Sequence, residues 1–172
     1  MADREDPADR STLPALVVSA CLLGVACTHR DDARRAAPVE DLADRFRLIA
    51  VCPEVAGGLT NPRPEAELQP DGSVVTSDGT DASDAYRRGA DQAVAIARVA
   101  GVAGAVLKAR SPSCGIHQVY DGTFSRTLRP GEGVTAAALR AAGFALCSEE
   151  DVAAGSGPLV SDPDREGATR LP

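Results

Sequence analysis

Short apolar runs alternate along this chain with stretches whose apolar residues recur every three or four positions. Residues 15–20 (ALVVSA) are a β-branched run and predict a buried strand. Residues 39–46 predict a short amphipathic helix, and residues 47–51 (RLIAV) a second strand. Pro70-Asp71-Gly72 stands between two extended pieces, so residues 67–76 predict a hairpin. A long helix is predicted over residues 81–100, with Thr80 as its N-cap. Its apolar positions Ala90, Ala93, Val94 and Ala97 fall on one face, and Gly101 suits its end. Residues 103–108 (AGAVLK) read as a third strand and residues 144–147 (FALC) as the last. Between them, Val134, Ala137, Ala138 and Ala141 mark another helix, closed by Gly143.

Strands alternating with helices predict an α/β fold: a single-domain three-layer sandwich with a mainly parallel, Rossmann- or flavodoxin-like sheet. Right-handed connections put every strand's C-terminal end on one edge, where ligands bind. The polar, Pro-containing residues 1–13 and the Gly/Pro/Ser-rich tail 151–172 lack periodicity and are expected to be disordered. The domain is then residues 14–150.

Composition narrows the function classes. The chain has 172 residues and a net charge of -7, with no footprint for a phosphate backbone, so nucleic acid is not the expected partner. Aromatics are only 3%, so the core must be built mainly from Ala, Val, Leu and Ile. The N-terminus has no signal-peptide h-region, and the longest apolar run, residues 15–27, is shorter than the roughly 20 residues a spanning helix needs. A soluble, cytoplasmic protein is expected, with no membrane partner. Oligomeric state is not legible.

Five cysteines, an odd number in a reducing compartment, argue against a disulfide framework and for metal binding or catalysis. Cys21 directly follows the first predicted strand and Cys52 the second, while Cys114 lies in the loop after the third. Gaps of 31 and 62 residues separate them, yet a parallel sheet brings strand ends together. Each sits in a loop with Gly or Pro nearby (SACLLG, CPEVAGG, SPSCG), which lets the backbone approach a bulky group. The set predicts an iron–sulfur cluster held by Cys21, Cys52 and Cys114, with one metal position open to substrate. A single cysteine is ordinarily a small buried hydrophobe, and Cys147, at the end of a core strand, fits that description. Cys27 suits a fourth ligand, a resolving thiol or an inert residue.

Glu54, two residues past Cys52, is a candidate general base beside the metal, or a solvated loop carboxylate. Ser113 is a candidate donor to substrate or cluster, or a turn cap. Arg63 suits an anion clamp, or a structural pair with Glu65 or Glu67. Lys108 and Arg110 suit charge compensation or a solvated rim. Tyr120 stands beside the Asp121-Gly122 turn, which is read as architecture covering the site, and suits its lining. The two histidines, His29 and His117, read as surface residues.

Taken together and in order, SACLLG, VCPEVAGGL, PRPEAEL, LKARSPSCG, VYDGTFS and PGEGVTAAALRAAG resemble the family called domain of unknown function 523, which includes the thiouracil desulfidases. The resemblance covers residues 15–150. It implies a 4Fe–4S cluster on Cys21, Cys52 and Cys114 with one free iron. It also implies a non-redox desulfuration, in which oxygen from water replaces the sulfur of a thio-nucleobase such as 2-thiouracil, or of its nucleotide, and sulfide is released. Glu54 and Ser113 match positions that assist proton transfer and substrate binding. The implied partners are that small molecule and the iron–sulfur assembly machinery. The chain departs from the pattern at Thr28-His29-Arg30-Asp31-Asp32, where an Arg-Tyr-Asp-Gly-like turn is frequent, at Glu65 in place of Pro, and at Arg126 in place of Gly.

Two other classes compete with the desulfidase: a cluster- or zinc-binding sensor without turnover, and a metal-free cysteine-nucleophile enzyme, for which no histidine is evidently placed. Only the first requires Glu54.

Overall fold

A computed structural model describes residues 10–160. Strand β1 (Ala15–Ser19) passes into a 3-10 turn, Ala20–Leu23. A short helix α1 (Ala37–Glu40) and a 3-10 turn, Asp41–Asp44, lead to β2 (Arg47–Val51) and α2 (Pro53–Ala56). A hairpin of β3 (Ala66–Leu68) and β4 (Val74–Thr76) precedes the long helix α3 (Ser83–Val99) and β5 (Gly104–Leu107). A second hairpin pairs β6 (Gln118–Tyr120) with β7 (Leu128–Pro130). The chain continues through α4 (Val134–Ala141), β8 (Ala145–Ser148) and α5 (Glu149–Ala153).

The central sheet has the order β2-β1-β5-β8 and is parallel throughout, with Val17 level with Ile49 on one side and Ala105 on the other. One layer of apolar side chains joins Val17, Ala105 and Leu107 to Ala93 and Ala97 of α3 and Leu139 of α4. The opposite layer joins Leu16, Val18 and Val106 to Val39 of α1, Val152 of α5 and Leu159. The result is the expected three-layer α/β architecture. Alanines on α3 bring the helix close to the sheet, which suits a chain with so few aromatics.

Strand order reverses between β1 and β5, because β2 lies to one side of β1 and β5 to the other. Such a switch point opens a crevice beyond the strand ends, and Cys21 and Cys114 follow the two strands that flank it.

Four local expectations are corrected. The 39–46 helix is a single α turn followed by a 3-10 turn, with Pro38 in its first turn. Thr80 does not cap α3: the helix starts at Ser83 after Ala82, and the Asp81 carboxylate accepts the Ser83 amide at 2.8 Å. The hairpin of β6 and β7 carries no alternation signal and was expected only as a turn. Order also extends past residue 150, since Ser148 and Asp151 form a capping box at the start of α5 and Leu159 is buried against the sheet. Residue 13 precedes β1 behind a short 3-10 turn, Arg10–Thr12, while residues 1–9 and 161–172, where disorder was expected, lie outside the described residues.

Candidate functional site

A cavity of about 590 Å³ opens at the C-terminal ends of β1, β2 and β5. Cys21, Cys52 and Cys114 line it together, despite their separation in sequence. Cys27 lines it too. Cys147 does not; it is fully buried in the apolar layer that holds Leu16 and Val18.

Local structure aims each thiol. Cys21 lies in the 3-10 turn that ends β1, stopped by Gly24 at φ 90, and its carbonyl accepts the Arg34 amide at 2.8 Å. Cys52 is the N-cap residue of α2, with Pro53 at the first helical position. Helix α2 crosses α3 backbone to backbone. A Cβ on Gly57 would stand 2.0 Å from the Ala85 carbonyl oxygen, and one on Gly89 would stand 1.9 Å from that of Pro53. Only glycine allows this approach, which fixes the turn carrying Cys52 and Glu54. Cys114 is held by the start of α4: the amides of Val134 and Thr135 donate to the carbonyls of Pro112 and Ser113, at 2.9 and 2.8 Å. The unpaired donors of a helix N-terminus are thus spent on the cysteine loop.

The thiols share an apolar, crowded setting. Cys27 interacts with the side chains of both Cys21 and Cys52, and the Cys21 contact first, with burial, pushes its pKa up to about 11. Cys52 donates to the Cys27 carbonyl at 3.6 Å, and its pKa is raised by the Cys27 thiol and by burial. Burial pushes Cys114 up to about 12, against an opposing pull from Ser19 and Ser113. Without metal Cys27, Cys52 and Cys114 are thiols at neutral pH, and a metal bound by any of them must expel its proton.

Glu54 stands at the cavity wall in a built setting. Arg63 grips its Oε2 from Nε at 2.9 Å and from Nη2 at 2.6 Å. The remaining Arg63 donors go to the carbonyls of Thr60 and Cys27 and to Asn61 Oδ1. All five N–H groups are engaged, and none is left for a substrate anion. Arg63 pairs with neither Glu65 nor Glu67. Burial opposes its charge, but Glu54 outweighs burial, and its pKa is raised. Tyr86 of α3, missed in the sequence because it sits on a buried helix face, completes the cluster. Burial, then the Glu54 charge, raises its pKa well above the ordinary phenol range.

Two other expected residues are placed differently. Lys108 lines the cavity, but its Nζ bonds Glu149 at 2.6 Å and the Ala109 carbonyl at 3.1 Å. Ser113 is fully buried behind Cys114, outside the cavity lining, and its hydroxyl pairs with Thr135 at 2.8 Å. Of the two serines in this loop it is Ser111 that lines the cavity; its hydroxyl accepts the amides of Ser113 and Cys114 at 3.1 Å each and keeps its own proton to donate. The doubled serine of SPSCG held that choice, which sequence cannot make. Tyr120 is among the residues that line the cavity. His29 also lines it, whereas exposed His117 pairs with Asp151 at 2.9 Å.

Among the described residues, six Lys or Arg side chains line the cavity against three Glu, the reverse of the chain's overall balance. That field suits an anionic cofactor. No three His, Cys, Asp or Glu among the described residues stand close enough to chelate a single ion, so the fit of a metal group rests on donor chemistry. Soft thiols at one wall, with hydroxyls behind Cys114, are the donors an iron–sulfur cluster requires. No helix among the described residues is long and apolar enough to cross a membrane.

The chain is 34% identical over 146 residues to the uncharacterized protein YbbK of Bacillus subtilis (strain 168), covering 80% of this chain and 97% of the relative. It is similar to the solved structure of the [4Fe-4S]-dependent thiouracil desulfidase TudS, with 38% identity, a TM-score of 0.76, and coverage of 82% of this chain and 94% of that one. The 2-thiouracil desulfurase family model matches residues 16–151, nearly the whole described domain, and the chain belongs to that family.

Proposed function

We propose that this protein is a desulfidase that replaces the thiocarbonyl sulfur of a thio-nucleobase, or of its nucleotide, with oxygen from water. The observation that carries this reading is the convergence of Cys21, Cys52 and Cys114 with the Glu54–Arg63 pair on one cavity of a chain in the thiouracil desulfurase family. Cys21, Cys52 and Cys114 would hold a 4Fe–4S cluster of the kind named for TudS, supplied by iron–sulfur assembly machinery. When bound, that group supplies a soft Lewis acid with affinity for sulfur.

The chain's own residues would do the rest. Both Arg63 bonds fall on Glu54 Oε2, which leaves Oε1 as the atom to take a proton from the attacking water. Arg63 holds the carboxylate in place rather than binding substrate. The Ser111 hydroxyl would donate to the substrate ring, a role for which the sequence offered Ser113 as a candidate. Tyr120 walls the base, and Lys108 sets the charge of the wall through Glu149. The bonds balance without a redox partner: one C=S bond and one water become one C=O bond and hydrogen sulfide.

The test is anaerobic reconstitution with iron and sulfide, followed by incubation with 2-thiouracil. Release of uracil and sulfide by protein carrying about four irons per chain supports the reading. A loaded protein that leaves thio-substrates untouched moves the assignment to a cluster-binding sensor. A protein that takes up no iron removes the central claim.

A further inference from the structure

We propose that Glu67 is a positioning residue that fixes the turn over residues 121–126 as the substrate-facing wall of the cavity, with Phe124 as its flat aromatic face; this rests on the desulfidase reading of the site.

Glu67 ends up almost fully buried, at 3% exposure. A carboxylate so placed is costly unless its oxygens are bonded. Its partners come from far along the chain: Oε2 accepts the amide of Gly122 at 2.9 Å and that of Phe124 at 3.0 Å. Gln69, two residues on, donates from Nε2 to the Gly122 carbonyl at 3.1 Å. Three backbone groups of the turn are therefore captured by side chains of the first hairpin.

The turn needs that capture. Phe124 and Arg126 both have left-handed backbone, at φ 57 and 64, which side-chain-bearing residues seldom adopt. Such strain persists where surrounding contacts over-determine it, and it concentrates at functional sites. Gly122, at φ 96, has a backbone conformation that side-chain-bearing residues rarely adopt.

What the clamp presents is chemically specific. Tyr120, Phe124 and Arg126 all line the cavity. Phe124 stays 37% exposed in a chain with only three phenylalanines, and it lines the cavity beside Tyr120. Aromatic faces select flat heteroaromatic rings by stacking. The proposal thus assigns substrate affinity to Phe124 and the geometry of that contact to Glu67.

Hydrogen exchange and kinetics test the two halves separately. In Glu67→Ala, amides of residues 121–126 are expected to exchange at least about tenfold faster while those of the central sheet keep their protection. With 2-thiouracil, Glu67→Ala and Phe124→Ala are each expected to raise KM about tenfold, with kcat within about threefold and iron content unchanged. The double variant should be no worse than either single one. Glu67→Gln, which keeps one acceptor oxygen, should recover part of both effects, and serves if Glu67→Ala does not fold. Unchanged exchange at 121–126 in both Glu67 variants overturns the clamp. A multiplicative double variant, or a loss confined to kcat, overturns the wall. A wild-type protein inert toward 2-thiouracil overturns the functional reading and Phe124's role with it, while exchange still decides the clamp.

Discussion

Arg63 holds Glu54 by two hydrogen bonds to a single carboxylate oxygen, and both side chains are largely buried, at 7% and 15% exposure. Nine residues separate them, and a turn of helix and a proline-rich segment must pack before they can meet. Removing one member of such a pair leaves the other unpaired in a poor solvent for charge, so Arg63→Ala should cost about 3 kcal/mol in chemical denaturation. Arg63→Lys should recover little, because one ammonium cannot serve Glu54, Thr60, Asn61 and Cys27 together. Glu54→Gln should fold and load iron normally yet lose at least about a hundredfold in turnover.

The two serines of the cysteine loop should separate cleanly. Ser113→Ala breaks the buried bond to Thr135 and should cost about 1–2 kcal/mol of stability, with turnover little changed in the fraction that folds. Ser111→Ala removes the hydroxyl at the cavity wall and should lower turnover by at least about tenfold. The reverse pattern would return the role to Ser113.

The five cysteines should sort by place. Ala at Cys21, Cys52 or Cys114 should abolish the visible absorption of the reconstituted protein. Cys27→Ala should retain it, since three thiols suffice. Cys147→Ala should cost about 1 kcal/mol and leave iron content unchanged, because that thiol is packed in the core and does not line the cavity. The raised pKa values of Cys27, Cys52 and Cys114 keep the metal-free thiols protonated near neutral pH, so alkylation is slow there and iron uptake strengthens as pH rises.

Gly89→Ala should behave opposite to helix propensity. An exposed glycine in a helix gains up to about 1 kcal/mol on substitution by Ala. Here the new methyl would meet the Pro53 carbonyl at 1.9 Å, and the backbone of α2 must move. We expect destabilisation by about 3 kcal/mol, seen as a lower melting temperature, together with impaired iron uptake as the Cys52 turn is displaced.

Asp151 gives a pH signature remote from the cavity. Burial works to raise its pKa, but the Ser148 amide and hydroxyl and His117 outweigh burial, and the carboxyl titrates below its ordinary value. A depressed carboxyl stabilises the fold above its unfolded pKa of about 3.9, and that contribution fades as pH falls through the lower folded value. Asp151→Asn should therefore be less stable than wild type by about 1 kcal/mol near neutral pH, with the gap closing below about pH 4.

The order of strands and helices, and with it the meeting of Cys21, Cys52 and Cys114, was legible in the sequence. Hydrophobic periodicity reports which face of an element is buried, and a parallel sheet then places every strand end on one edge. The partner of Arg63, the choice of Ser111 over Ser113, the presence of Cys27 and Tyr86 at the wall, and the Glu67 clamp were not legible. Each depends on where a side chain points after segments distant in sequence have packed. Spacing along the chain carries no record of that direction: Glu67 and Gly122 lie 55 residues apart, and only the docking of one hairpin against the other brings the carboxylate to the amide. The folded chain also carries structure past residue 150, because the cap at Ser148 and the burial of Leu159 stabilise a segment whose composition alone reads as loop.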